Sequence, residues 1–200
     1  MMRLRFVFAV LAAFTACAPA AQAQPARSLP LIVPASSDAF EHEVTFDKRS
    51  FIYVSGHVDF DGVYDALVAA LKKVHGYLEK EGIKPAGPPI ARYSDGGQEG
   101  FQFEAGYPVA EAPKNPPQGD IAVGETPSGK MLDFVHRGPF STIDETYAAI
   151  DDYFRGRRKS AGLAEPERDE LANSFEEYTT DPSTADPEKL EVHVLVPVTK

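Results

Sequence analysis

The chain has 200 residues, with 20 Lys and Arg against 30 Asp and Glu and a formal net charge of −10. This length, with 43% apolar residues, suits one globular domain with its own hydrophobic core. The acidic balance and the lack of a basic stripe or helix-turn-helix pattern argue against a nucleic-acid-binding protein. An acidic surface is compatible with simple solubility or with attraction of cationic partners.

The first residues have the pattern of an export signal. Arg3 and Arg5 precede an apolar run from Phe6 to Ala16, and its roughly eleven residues suit a signal-peptide core but are too few to span a membrane. Ala21 and Ala23 then place small residues where a signal peptidase cleaves. The sequence therefore predicts a signal peptide over 1–23 and a periplasmic or otherwise extracytoplasmic protein.

The one cysteine allows a second interpretation of this segment. Phe14-Thr15-Ala16-Cys17 is similar to a bacterial lipoprotein box, so lipidation of Cys17 is the alternative to cleavage after Ala23. That anchor is the one membrane attachment we expect, and in either case the folded part has no disulfide. Residues 24–42 are rich in Pro, Ala and Ser and predict a flexible tether, which leaves 43–200 as the folded domain.

The first half of this domain is predicted as strand, helix, strand, strand. Phe51–Val54 is β-branched and aromatic and predicts the first strand. Two further strands are predicted at Ile90–Tyr93 and Gly100–Val109, on either side of a glycine-rich turn. Before them, apolar residues at helical spacing predict a helix that ends at Gly82; these residues are Val63, Leu67, Leu71, Val74 and Leu78.

The second half repeats this order. After a brief strand at Ile121–Val123, alternation predicts a strand at Lys130–Arg137. Ser141 is the predicted cap of a helix that ends by Gly162, and its apolar positions are Ile143, Tyr147, Ile150 and Phe154. A short strand follows near Ser174, and Leu190–Val198 is the predicted last strand.

One difference between the two halves lies at the position of Glu176. Ile90–Tyr93 corresponds to Phe175–Tyr178, so that Tyr93 matches Tyr178 while Ala91 stands where the second half has Glu176. Glu176 and Tyr178 are two residues apart and share one face of their strand. Because a sheet with helices on one face leaves its other face for a loop, a partner or a ligand, we interpret this pair as lining a cavity. The alternative is an exposed strand glutamate beside core tyrosines.

Six segments in the same order resemble the GyrI-like small-molecule-binding domain, which is also the effector-binding domain of AraC-type and MerR-type multidrug regulators. These segments are Gly87–Tyr93, Phe103–Val109, Gly124–Lys130, His136–Phe140, Glu176–Pro182 and Val196–Val198. The resemblance implies an α+β fold, in which two pseudo-symmetric β-α-β-β units form one antiparallel sheet with two helices on one face and a ligand cleft on the other.

The resemblance also implies that Glu176 lies at the bottom of the cleft with Tyr178 beside it. Tyr93 and Phe134 are further candidates for ligand contact, and Glu177 is the fallback for Glu176. A carboxylate in apolar surroundings attracts a positive charge, and nearby rings add cation–π attraction of roughly 0.5–2 kcal/mol per contact. The predicted function is an exported binder of small amphipathic molecules that are cationic or aromatic.

Three alternatives stay open. A hydrolase of strained or electrophilic small molecules would use Glu176 and Tyr178 as catalytic residues, as the resemblance implies for some GyrI-like proteins. The similarity of the architecture to SOUL haem-binding domains makes His75 a candidate haem ligand. A protein-interaction module is the third alternative, because the family includes a gyrase inhibitor. The five histidines lack metal-site spacing, and we expect no metal and no cofactor.

Overall fold

The structure is a computed structural model that describes residues 42–95, 100–115, 117, 119–161, 171 and 173–198. The predicted signal peptide, Cys17 and all but the last residue of the predicted tether lie outside the described residues. Within these ranges, no helix has both the length and the apolar character needed to cross a membrane.

Within the described residues the domain has eight strands and two α-helices, and they confirm the predicted α+β fold. In chain order they are β1 (His42–Phe46), β2 (Ser50–Val58), α1 (Val63–Glu81), β3 (Ile90–Asp95), β4 (Phe101–Val109), β5 (Ile121–Glu125), β6 (Gly129–Gly138), α2 (Ile143–Ala161), β7 (Phe175–Tyr178) and β8 (Leu190–Pro197). All strands are antiparallel to their neighbours in one sheet of order β1-β6-β8-β7-β3-β4-β2-β5. Ser141, the predicted helix cap, lies instead inside a 3-10 turn that precedes α2.

The strand order has a pseudo-two-fold axis between its two central strands. Outward from β7 and β3, the strands of the two halves occupy equivalent positions: β8 corresponds to β4, β6 to β2, and β1 to β5. Ala91 and Glu176 are direct cross-strand partners at this axis. Glu176, which stands where the first half has Ala91, therefore lies at the centre of the sheet.

Two short connections force the sheet to curl. β1 and β2 are six strand positions apart, which is about 29 Å in a flat sheet, yet only Asp47–Arg49 joins them, a reach of about 14 Å. β5 and β6 are joined in the same way by Thr126–Ser128. The two connections contact each other: the Arg49 amide donates to Thr126 Oγ1 at 3.0 Å, and the Thr126 amide donates to the Arg49 carbonyl at 2.9 Å.

Both helices pack on one face of the sheet. One row of cross-strand partners on that face joins the cluster under α1 to the cluster under α2; it consists of Val54, Ala105, Ala91, Glu176, Val194 and Phe134. α1 buries five residues, whereas Ile150 is the one fully buried side chain among those described in α2. Since apolar burial is the main source of helix anchoring, α2 is the more weakly held helix.

The opposite face lies inside the curl and has its own apolar cluster. Its buried members are Phe46, Phe51, Ile90, Met131, Phe175 and Leu195. The Arg49 guanidinium covers the Phe46 ring at 4.7 Å, and Tyr53 stacks on Phe51 at 5.1 Å. This curled face is therefore closed at its centre by side chains and by the connection that contains Arg49.

The curl leaves no room for a side chain at Gly106 in β4. A Cβ atom there would lie 1.9 Å from the Ile52 carbonyl oxygen and 2.6 Å from the Tyr53 Cα, both of which are backbone atoms that cannot rotate away. We expect Gly106→Ala to lower the free energy of unfolding by at least about 2 kcal/mol, because the β2–β4 ladder must separate. Urea denaturation of the wild type and the variant measures the difference.

Gly76 in α1 is the matched control for this substitution. A Cβ atom at Gly76 meets nothing within 4 Å, so Gly76→Ala gains helix propensity and should stabilise the protein by about 0.5–1 kcal/mol. If both variants changed stability in the same direction, the proposed close approach at Gly106 would be wrong.

Candidate functional site

Glu176 is buried at the centre of the helix-bearing face. It lies on β7 with a relative exposure of 2%, between Val194 on one neighbouring strand and Ala91 on the other. Its two strand neighbours, Phe175 and Glu177, point to the curled face, since successive residues of a strand alternate. The carboxylate therefore lies beneath the two helices, on the pseudo-two-fold axis.

Two tyrosine hydroxyls donate to the carboxylate, one to each oxygen. Tyr147 on α2 donates to Oε1 at 2.8 Å, and Tyr178 on the same strand donates to Oε2. Tyr93, the counterpart of Tyr178 in the first half, places its hydroxyl beside that of Tyr178. Three phenols from three different elements thus surround one carboxylate.

Burial controls the ionisation of this cluster. It raises the pKa of Glu176 from its ordinary value of 4.5 to about 7, against the opposing effect of the hydrogen bonds from Tyr178 and Tyr147. Burial and the negative charge of Glu176 raise the pKa of Tyr93, Tyr147 and Tyr178 well above 10. Near neutral pH the carboxyl group is therefore divided between its acid and its carboxylate, while the tyrosines stay protonated donors.

Among the described residues, no Lys, Arg or His forms an ion pair with Glu176. The site can therefore accept a positive charge from outside, or it can move a proton between the carboxylate and a bound molecule.

The location of Glu176 differs from the expected one. The resemblance implied a cleft on the face opposite the helices with this glutamate at its bottom, but Glu176, Tyr178 and Tyr93 lie on the helix-bearing face. Glu177, the fallback residue, points to the curled face, where its Oε1 lies 3.5 Å from Arg49 Nη2. Partial burial raises the pKa of Glu177, and Arg49 opposes this increase.

The site includes Tyr147, which the sequence analysis placed in the apolar stripe of α2. Its helical spacing is that of a core residue, and its hydroxyl, the one polar side-chain group of that stripe, is the only signal that sets it apart. Phe134, a predicted site residue, lies two strands from Glu176 in the same row. Its ring packs edge-on against Tyr153 at 5.4 Å and Phe154 at 6.0 Å, in the cluster beneath α2.

His75, the candidate haem ligand, lies on α1 and does not belong to the Glu176 cluster. The His75 side chain is 46% exposed on the surface of α1, where it faces Glu79 at 3.8 Å and the ring of Tyr107 at 5.9 Å. Within the described ranges, no group of three or more His, Cys, Asp or Glu side chains is arranged to hold a metal ion.

A cavity of about 710 Å³ opens at one end of the sheet. Many of its walls come from strand residues that point to the curled face, such as Ser55, Arg92 and Glu104, whereas Tyr93 belongs to the helix-bearing face. Glu176 does not line this cavity, but its neighbour Tyr93 does.

The raised pKa of Glu176 predicts a pH-dependent stability. Because the folded protein holds this proton more tightly than the unfolded chain, the contribution is present below about pH 4.5 and is lost as the pH rises through about 7. When the pH is raised from 5 to 8, the difference in unfolding free energy between Glu176→Gln and the wild type should therefore shift by about 2 to 3 kcal/mol in favour of the variant. Urea denaturation of both proteins at the two pH values measures this; an equal difference at both would contradict the buried, unpaired carboxylate.

Comparisons with known proteins agree with this architecture. The family model of the GyrI-like small molecule binding domain matches residues 42–199. No curated protein matches the chain significantly.

Solved structures share the fold at low sequence identity. EcmrR in a complex with DNA has a TM-score of 0.60 at 17% identity, over 80% of this chain and 57% of that chain; this chain thus spans little more than half of the EcmrR chain. The EcmrR C-terminal domain has a TM-score of 0.58 at 15% identity, over 80% of this chain and 97% of that chain. A hydrolase from Listeria innocua has a TM-score of 0.51 at 16% identity, over 80% and 92%. With its match over nearly the whole described domain, the chain belongs to the GyrI-like family of small-molecule-binding domains.

Proposed function

We propose that this protein is an exported binder of small amphipathic cations, for which Glu176 supplies the negative charge. The observation that carries this proposal is the buried carboxylate of Glu176, which has two tyrosine donors and no cationic partner among the described residues. The family supports binding of a small molecule in general; the preference for a cation rests on this carboxylate.

A buried carboxylate without a counter-ion is costly, and this protein offsets the cost in part by taking up a proton at neutral pH. A ligand cation would remove the cost instead, and the rings of Tyr93, Tyr147 and Tyr178 would add cation–π attraction of roughly 0.5–2 kcal/mol each. Since apolar contact discriminates weakly by shape, such a site would accept several flat or bulky lipophilic cations.

Access requires movement, because Glu176 is only 2% exposed. Tyr147 covers it from α2, the helix with one fully buried side chain among those described. A weakly anchored element over a charged site is suited to ligand entry, because the free energy of its displacement is small.

Export is the second part of the proposal. It rests on the charged, apolar and small-residue order of residues 1–23, with lipidation of Cys17 as the alternative attachment. A protein outside the cytoplasm meets lipophilic cations before they cross the inner membrane, and it would bind them there.

Replacing the carboxylate should abolish the preference for cations. We expect Glu176→Gln to bind a lipophilic cationic dye such as rhodamine 6G at least about tenfold more weakly than the wild type, since the amide keeps the shape and loses the charge. In the wild type, affinity should fall by about tenfold per pH unit below pH 7, where the cation must displace a proton, and should be constant above it. Fluorescence anisotropy between pH 5.5 and 8.5 measures both effects.

Glu177→Gln is the matched control, because Glu177 is the next residue but points to the curled face. It should bind the dye as the wild type does, with the same pH profile. Equal weakening in both variants would indicate a general effect of surface charge, and unchanged binding in Glu176→Gln would remove the counter-ion role.

A hydrolase is the second candidate, favoured by the Glu176 pKa of about 7 and the adjacent Tyr178 hydroxyl. Glu176 would take a proton from a water molecule while the water oxygen bonds to an electrophilic ring carbon. As the bond from that carbon to its ring oxygen breaks, Tyr178 would give its proton to the leaving oxygen. The proton on Glu176 would then return to the tyrosinate through solvent, which restores both groups.

An aryl epoxide such as styrene oxide tests this second candidate. The hydrolase predicts diol formation that falls by at least about a hundredfold in both Glu176→Gln and Tyr178→Phe, as expected for loss of a general base or acid. Product is measured by chromatography over several hours. Recovery of the epoxide at the rate of the protein-free control would leave binding as the one function of this site.

A further inference from the structure

The cavity of about 710 Å³ has polar walls with balanced charge. Two ion pairs contribute to them: Lys48 Nζ lies 2.6 Å from Glu125 Oε2, and Arg92 pairs with Glu104. Other wall residues are uncharged hydrogen-bonding groups: Ser55, Ser94, Gln102, Ser128, Asn173 and Ser174. Because the described walls carry as many negative as positive groups, they favour an uncharged polar molecule or segment over an ion.

A gap in the sheet connects this cavity to the other face. β7 pairs with β3 through Ile90 and Ala91 only, whereas β3 continues to Asp95. Beyond Ala91, that edge of β3 has no strand partner within the described chain; Asn173 and Ser174, which precede β7, also line the cavity there. The cavity therefore reaches the point where the central ladder ends, through Arg92, which follows Ala91, and Ser174, which lies two residues before Glu176.

One buried polar atom at this gap lacks the partner that such groups normally have. Arg92 Nε is a buried side-chain nitrogen without a hydrogen-bond partner in the described chain, and Arg92 lines the cavity. The next residue, Tyr93, also lines the cavity, and its hydroxyl lies beside that of Tyr178. An unsatisfied buried donor is unfavourable, so Arg92 Nε points to an occupant that would accept from it.

Arg92 is held in a fixed position for such a contact. Its Nη2 donates to Glu104, and its guanidinium lies over the Phe51 ring at 5.8 Å. These contacts use one end and one face of the guanidinium, and the buried Nε–H is a further donor from which no described residue accepts. A neutral oxygen acceptor fits this position, because Glu104 already neutralises the positive charge.

The cavity and the Glu176 cluster share walls. Tyr93 lines the cavity, and the charge of Glu176 contributes to raising its pKa after the larger effect of burial. Ser174 lines the cavity and lies beside the Tyr147 hydroxyl, one of the two donors to Glu176. One elongated molecule could therefore contact both regions by passing Tyr93 and Ser174.

We propose that the cavity is a second subsite of the same ligand and holds a neutral segment with an oxygen acceptor, such as an ester, ketone or ether, bound to Arg92 Nε. This inference rests on the proposed function, in which the cationic end pairs with Glu176. The ligand class is therefore a lipophilic cation with a polar, uncharged tail, and Arg92 is its specificity-determining residue.

Two cations of matched length test this subsite. Heptyltriphenylphosphonium has an alkyl tail, and (4-ethoxy-4-oxobutyl)triphenylphosphonium has an ester in a tail of the same length. The matched variant is Arg92→Lys, which keeps a positive charge for Glu104 and lacks the Nε–H. We expect the ratio of the two dissociation constants to shift by about five- to tenfold against the ester cation in Arg92→Lys, the effect of one lost hydrogen bond. Calorimetry measures the ratio in both proteins.

A second measurement uses the wild type alone and does not depend on how the variant folds. The Arg92 Nε–H resonance in a nitrogen-15 spectrum should shift with the ester cation and stay in place with the alkyl cation. If both cations bind the wild type, but the ratio is the same in Arg92→Lys and the resonance does not respond, the subsite is wrong and the proposed function stands. If neither cation binds the wild type, the proposed function fails, and the subsite fails with it.

Discussion

The site depends on the cost of keeping one carboxylate away from water. Glu176 lies where the two halves of the sheet meet, opposite an alanine that leaves room for it. Tyr147 and Tyr178 satisfy its oxygens but bring no positive charge, so the desolvation of the carboxylate is only partly compensated. A purely structural core would favour a second apolar residue here, so the acid at this position is the observation on which the proposed function rests.

The rest of the fold creates the space around this group. The three-residue connections bend the sheet, and phenylalanines from its strands fill the inner face. α1 closes its half firmly, while α2 covers the other half with a largely polar helix. The first half therefore has the more deeply buried helix, and the second half supplies Glu176, Tyr147 and Tyr178.

Much of the fold could be predicted from the sequence, because most of its elements have local signals. Alternation and helical spacing indicated seven of the strands and both helices, and the internal repeat identified Glu176 as the asymmetric position. β1 was not predicted, since its His-Glu-Val-Thr-Phe pattern is largely exposed and gains its structure from pairing with β6. The face of Glu176 and the contribution of Tyr147 depend on how α2 packs, and no local pattern encodes that packing.

Each half of the domain is completed by an edge strand that comes from the other part of the chain, and this arrangement determines how the chain can fold. β1 precedes the first unit but pairs with β6 of the second, and β5 precedes the second unit but pairs with β2 of the first. The Lys130–Glu43 ion pair joins residues 87 positions apart in the chain. The architecture is that of a strand-swapped dimer fused into one polypeptide. Neither repeat has a complete sheet alone, so the two halves must fold as one cooperative unit, with the high contact order and slow folding that long-range strand pairing brings.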